Sequence, residues 1–224
     1  MLGHAALAMW WDMAPAQRPE FEHWHTHEHY PERLGIPGFL RASRWRDATG
    51  GEGIFQLYEL DTHAVLSSDA YLARLNAPTP WSTRMMPHHR NMVRSQCTVL
   101  VSHGGVTARH ALTVRLSPAE ARGEALLQGL APLLEALPHR PGVGGAHLLK
   151  HSPPQIAATA EQKIRGNDSY ADWVLVITGY EFAALEELAG GELGAAALEA
   201  LGASAGALHG RYQLAYAAVP ADIA

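Results

Sequence analysis

The sequence predicts an α+β chain in which two tandem βαββαβ repeats join their antiparallel sheets into one eight-stranded barrel. Three observations lead there. The alternation of apolar strands and periodic helices restarts after Gly104-Gly105. A Pro-Gly pair follows the first helix of each half, Pro37-Gly38 and Pro141-Gly142, so an internal duplication of about 105 residues is expected. The strands are apolar on both faces: Trp173, Leu175 and Ile177 alternate with Val174, Val176 and Thr178. A four-stranded sheet offers roughly 400 Å² per face. Leaving that face wet forfeits on the order of 10 kcal/mol, comparable to the whole stability of a domain. The two bare faces are therefore expected to cover each other within the chain.

Each element follows from local chemistry. Residues 4–13 read as a strand. Pro15 and Pro19 open a helix that should end or kink at Tyr30, because the residue before a proline avoids helical geometry. Pro37-Gly38 turns the chain into a strand over 39–46. Gly50-Gly51 marks a hairpin into the next strand, Ile54 to Leu60. A second helix spans Ala64 to Asn76. A proline-rich segment, 78–90, precedes a strand from Cys97 to His103. In the second half a strand runs from Thr107 to Leu116. Ser117 is the expected cap of a helix from Pro118 to Leu137, whose apolar side carries Leu126, Leu127, Leu130, Leu133, Leu134 and Leu137. Strands over 143–150, Asp172–Tyr180 and Leu208–Val219 follow, with a Pro153-Pro154 loop and a helix over Glu181–Leu201 between them. The repeats divide as 1–105 and 106–224, the first expected to hold the site and the second to be mainly scaffold.

Composition narrows the function. The 224 residues are 47% hydrophobic, which argues against disorder. Net charge is -5 with both signs interspersed, and no basic block suggests nucleic acid. Cys97 is the only cysteine, so neither an intrachain disulfide nor a cysteine-based zinc cluster can form. It reads as a buried structural thiol in a reducing, cytoplasmic setting. No apolar run approaches the ~20 residues of a membrane span, and no leader pattern is expected at the N-terminus.

The stretch 17–46 is chemically the richest. On a helical wheel Phe21, Trp24, His25, Glu28, His29 and Glu32 share an arc of roughly 140°. Phe21 and Trp24 point that arc inward, and His23 and His27 fall on the solvent side. The equivalent helix of the second half lines its inward side with leucine, so an ordinary core was available to this fold and half one does not use it. His29 is the expected acid/base, with Glu28 orienting it. A structural reading stands beside this one, with His29 bonded to Glu or backbone and Glu28 tied to Arg41 or Arg33. Arg84 and Arg90, from the proline-rich segment, are the expected anchors for an anionic group. Trp24, His25, Arg33, Arg41, Tyr58 and Trp81 complete the candidate ligand-binding set, although Trp24, Tyr58 and Trp81 also suit a core. Segment 78–90 suits either a flap over the pocket or a plug at the barrel end. A zinc or iron site would need His25, His29 and Glu28 with His88 or His89, but no helical H-E-x-x-H occurs. No metal or other cofactor is expected.

The run Trp24…Glu28-His29…Pro31-Glu32-Arg33…Pro37-Gly38-Phe39, together with the ferredoxin-like order of elements, resembles the dimeric α/β-barrel superfamily. Its relatives include EthD-like proteins, antibiotic-biosynthesis monooxygenases and stress-responsive barrels, and the helical His before a Pro-Gly-Phe turn is most similar to the EthD-like branch. Family members usually pair two chains, whereas this chain carries both halves. The resemblance implies a small-molecule partner, apolar or aromatic, and reactions such as cofactor-free oxidation, isomerisation or decarboxylation. The rival class is a non-catalytic binding or stress-associated barrel. A homodimer stays open; nucleic-acid and membrane partners are not expected.

Overall fold

The turn chemistry of the two repeats coincides in detail. The computed structural model describes residues 1–166 and 168–223. In it Gly38 and Gly142 sit at φ of 93° and 87°, the region that glycine reaches without a Cβ clash. Each carbonyl accepts a hydrogen bond at 2.9 Å from the far end of the neighbouring hairpin strand, from the Asp61 and the Tyr180 N–H respectively. The strands that follow slip by one residue at the same place, between Phe39 and Arg41 in one repeat and between Val143 and Gly145 in the other. Turn, bulge and hydrogen bond recur together, which is the physical content of the duplication.

The strands of the first repeat are β1 (Ala5–Asp12), β2 (Phe39–Asp47), β3 (Gly53–Leu60) and β4 (Arg90–Gly104). Those of the second are β5 (His110–Leu116), β6 (Val143–His151), β7 (Trp173–Gly179) and β8 (Leu208–Ala218). They close an eight-stranded barrel in the order β1-β3-β2-β8-β5-β7-β6-β4, so each repeat has the same internal arrangement and no sheet edge is left open. The described pairings within each repeat are antiparallel.

The first helical stretch comprises α1 (Arg18–Trp24), a π-helical turn (His25–His29) and α2 (Tyr30–Leu34). Of the expected end or kink at Tyr30, the end does not occur, and the irregularity there is a π turn. The Tyr30 N–H reaches back to the carbonyl of His25, five residues earlier, and the helix runs on through Pro31. A proline does not by itself demand this, since Pro132 lies inside a regular helix further on. After the first-repeat hairpin come α3 (Asp69–Asn76), capped by Ser68, and α4 (Pro80–Met85), capped by Thr79. The second repeat carries α5 (Gly123–Ala136) and α6 (Ala160–Arg165), then α7 (Phe182–Gly190) and α8 (Ala195–Leu201), which split at glycines where one long helix was expected. Ser117 does not cap α5; its hydroxyl bonds Asp172 instead.

The chain forms two compact units. One consists of residues 2–98, 152–170 and those from 215 onward; the other of Met1, 99–151 and 171–214. The second is filled by aliphatic packing of Leu126, Leu130 and Leu134 against Leu112, Leu148, Leu175 and Ile177, all fully buried. The first has an aromatic core. Trp11, Met13, Phe21, Trp24, Ile54, Met85 and Met92 form one cluster, and Tyr30, Phe39, Tyr58 and Tyr71 belong to another. Among the described residues no helix is long and apolar enough to cross a membrane.

Candidate functional site

The wide turn decides which side chains of the first helix meet the core. Up to it the wheel holds: Phe21, Trp24 and His25 are buried, and His23 and His27 are exposed. A π turn takes up one extra residue, so beyond it the inward positions are Tyr30, Arg33 and Leu34, all buried. Glu32 is displaced towards Arg74, 3.4 Å away. Glu28 is displaced too. Its Oε1 accepts from Thr79 Oγ1 at 2.6 Å, Trp24 Nε1 at 3.0 Å and Ser82 Oγ at 3.4 Å. These bonds fasten α1 to the capped start of α4, and none of them goes to His29. Ser82, Met85 and Met86 are buried as well, so these three side chains of segment 78–90 pack inward while most of its others are exposed.

Inside the aromatic unit lies a cavity of about 30 Å³, room for one or two water-sized groups. Its walls include Trp11, Trp24, Tyr58 and Tyr71 with Met9, Met86 and Met92, and three imidazoles, those of His25, His29 and His89. The imidazoles of His25 and His29 stack with centroids 5.2 Å apart and planes 16° from parallel. His25 Nδ1 lies 3.2 Å from Arg44 Nη1. A guanidinium can only donate, so His25 carries its proton on Nε2. His89 Nδ1 lies 3.2 and 3.1 Å from the Met85 and Met86 carbonyls and must donate there, which leaves Nε2 bare in the neutral ring. His29 Nδ1 is shielded from solvent and has no hydrogen-bond partner.

All three rings are held neutral. Burial pushes His29 well below the ordinary imidazole value, with Arg33, His89 and Arg165 adding repulsion. Burial does the same to His25, reinforced by His29, Arg44 and His89. His89 is lowered to about 4 by burial, against the pull of the carbonyls it bonds. Beside them lies a buried triad of charges, Arg33, Glu161 and Arg165. Glu161 of α6 pairs with Arg33 and, at 3.4 Å, with Arg165, which also meets Asp168 at 3.1 Å. Arg33 Nη1 is buried without a partner. Burial works against the Arg33 charge, and Glu161 more than restores it. Among the described residues no three His, Cys, Asp or Glu side chains converge to hold a metal.

The cavity thus brings together Trp24, His25, His29, Arg33 and Tyr58 from the sequence-derived set. It does not bring in the others. Arg41 lies 3.3 Å from buried Glu59. Trp81 Nε1 donates to Glu20, and exposed Arg84 faces the same carboxylate at 3.6 Å. Arg90 pairs with Glu52 at the surface. Sequence reasoning missed Trp11, Gln56, Tyr71, Arg94, Glu161 and Arg165. The last two had a signal: the second repeat inserts about 20 residues where the first has a short hairpin, and long insertions in compact folds are commonly functional.

No protein-family model and no curated protein matches the sequence. Solved structures do match over almost the whole chain. An anthrone oxidase-like protein superposes with a TM-score of 0.66 at 12% identity, covering 97% of this chain and 93% of its own. A candidate monooxygenase from Fusobacterium nucleatum subsp. nucleatum gives 0.64 at 9% identity, with 98% and 96% covered. A ferredoxin-fold protein related to antibiotic biosynthesis monooxygenases, from Listeria monocytogenes, gives 0.52 at 7%, with 96% and 97% covered. The fold is two tandem ferredoxin-like repeats closed into one eight-stranded α/β barrel. At these identities the likeness speaks for the barrel alone, and the chemistry of this α/β barrel rests on its own residues.

Proposed function

We propose that this α/β barrel is a cofactor-independent enzyme of the oxygenase type that removes a proton from an activated carbon of a small aromatic compound. His29 is the base. The observation that carries the reading is a His29 ring that lines an aromatic-walled cavity, whose Nδ1 has no hydrogen-bond partner and which burial keeps neutral. The open Nη1 of Arg33 is placed to receive the oxyanion that forms when the carbon beside a carbonyl loses its proton. The electron pair of the broken C–H bond then sits in an enolate, and the proton sits on His29. Dioxygen, as co-reactant, takes electrons from that anion: a CH2 group and O2 give C=O and H2O. Isomerisation or decarboxylation through the same anion are the other outcomes of such a site. His25, fixed by Arg44, stacks on His29 and positions it. In this reading residues 1–105 form the site-bearing repeat and 106–224 the second repeat, and the protein works in the reducing cytoplasm.

A similar fold belongs to an anthrone oxidase-like protein, so anthrone, an aryl ketone with an activated methylene, is the test compound. Its hydrogen–deuterium exchange in buffered D2O without added cofactor is followed by NMR, alongside dioxygen uptake. The expected result is exchange above the buffer rate that falls by about 10²–10⁴-fold in His29→Ala, with Tm shifted by only a few degrees. Exchange no faster than buffer, or unchanged in His29→Ala, removes His29 from the chemistry and leaves a binding barrel.

A further inference from the structure

A second pocket, of about 190 Å³, shares the Arg94, Arg165 and Leu75 walls of the His29 cavity. It is lined with polar side chains, Gln96, Thr159 and Gln162 beside the two arginines, and no carboxylate lines it. Part of its wall is the insertion of the second repeat, from Pro153 to Arg165. The first repeat has only a hairpin there, so duplication alone would not have made this space.

The arginines are not equally satisfied. The Arg165 side chain is 8% exposed, with Nη1 and Nη2 committed to Glu161 and Asp168. Its Nε is buried with no partner. Arg94 Nη2 donates to the Tyr71 hydroxyl at 3.0 Å, a neutral acceptor, and no carboxylate among the described residues pairs with Arg94. Arg33 and Arg165 share Glu161 and Asp168, and Arg33 also lies within reach of the Glu32 charge, so half-buried Arg94 is the guanidinium of the three without a carboxylate pair among the described residues. A half-buried guanidinium with only a neutral acceptor favours an anionic ligand group.

We infer that the 190 Å³ pocket is a subsite for a carboxylate, held by Arg94. Guanidinium–carboxylate bonds are charge-assisted and fix orientation as well as adding energy. The ligand class is a small aromatic acid. Its carboxylate occupies the polar pocket and its reacting carbon enters the water-sized cavity at His29. Only this last placement rests on the proposed proton abstraction; the anion subsite stands on its own geometry.

Titration calorimetry of the full chain with benzoate, and with neutral benzamide of the same shape, tests it. Benzoate should bind at least about tenfold more tightly than benzamide, a 1.4 kcal/mol difference. Arg94→Gln should remove that preference and Arg94→Lys should restore part of it, with circular dichroism showing both variants folded. His29→Ala should keep benzoate affinity within about twofold while losing anthrone exchange, so the two readings fail separately. Absence of benzoate binding, equal affinity for the two probes, or a preference untouched by Arg94→Gln overturns the subsite.

Discussion

The two repeats place a helix at the same point in the same topology, yet fill its inner face in opposite ways. α5 presents Leu126, Leu130 and Leu134, all fully buried, to an aliphatic core. The stretch from Arg18 to Leu34 presents imidazoles, a guanidinium and aromatic rings around a small void. The leucine solution needs no partner for any side-chain atom. The polar solution leaves His29 Nδ1, Arg33 Nη1 and Tyr30 Oη without a hydrogen bond, and each such buried group costs about 1–3 kcal/mol. One copy of the motif thus maximises packing, and the other gives up packing for reactive groups.

That contrast can be broken at its strongest point first. Glu161→Ala should cost about 3–5 kcal/mol, because it strands Arg33 and part of Arg165 as buried charges. Chemical denaturation measures it, and a loss under 1 kcal/mol would mean that the triad is wet and the polar face is no burden. Leu130→Ala should cost about 2–5 kcal/mol through the cavity it leaves while leaving benzoate affinity unchanged. A matching loss of affinity would show that the aliphatic repeat also shapes the site.

A smaller effect is set by pH. His25, His29 and His89 are neutral in the fold with pKa values lowered by burial, whereas in the unfolded chain they titrate near 6.5. The unfolded state therefore binds more protons below that pH. Their contribution is complete above about 6.5 and is lost as pH falls towards the folded values, about 4 for His89. Each ring removes up to about 1.4 kcal/mol per pH unit in that window, and in a chain of this size 1 kcal/mol moves Tm by about 2–4 °C. A flat Tm between pH 6.5 and 5 would show these rings to be solvated. The smallest effect is expected at the rim. Arg84→Ala should stay within about 0.5 kcal/mol of wild type by denaturation, since its pair with Glu20 is exposed; a larger loss would show that segment 78–90 depends on this pair more than its exposure indicates.

Much of this was legible in the residues. The duplicated Pro-Gly turns and the two-faced strands gave the barrel, and the polarity of one helix against the leucines of the other marked where buried polar groups gather. The wheel failed at a definite place. A regular 100° step carried Glu28 and Glu32 inward, but the π turn at 25–29 advanced the register by one residue and put Tyr30 and Arg33 there. Nothing in a single sequence marks such a turn. Glu161 and Arg165 escaped for a different reason: their partners are far along the chain, and an i,i+4 Glu–Arg pair in a loop looks like any solvated helical turn.

The Arg33–Glu161 pair joins a side chain encoded in the earlier copy to one encoded in the later copy. A chain split between the repeats would therefore leave Arg33 in one fragment and the carboxylate that compensates it in the other.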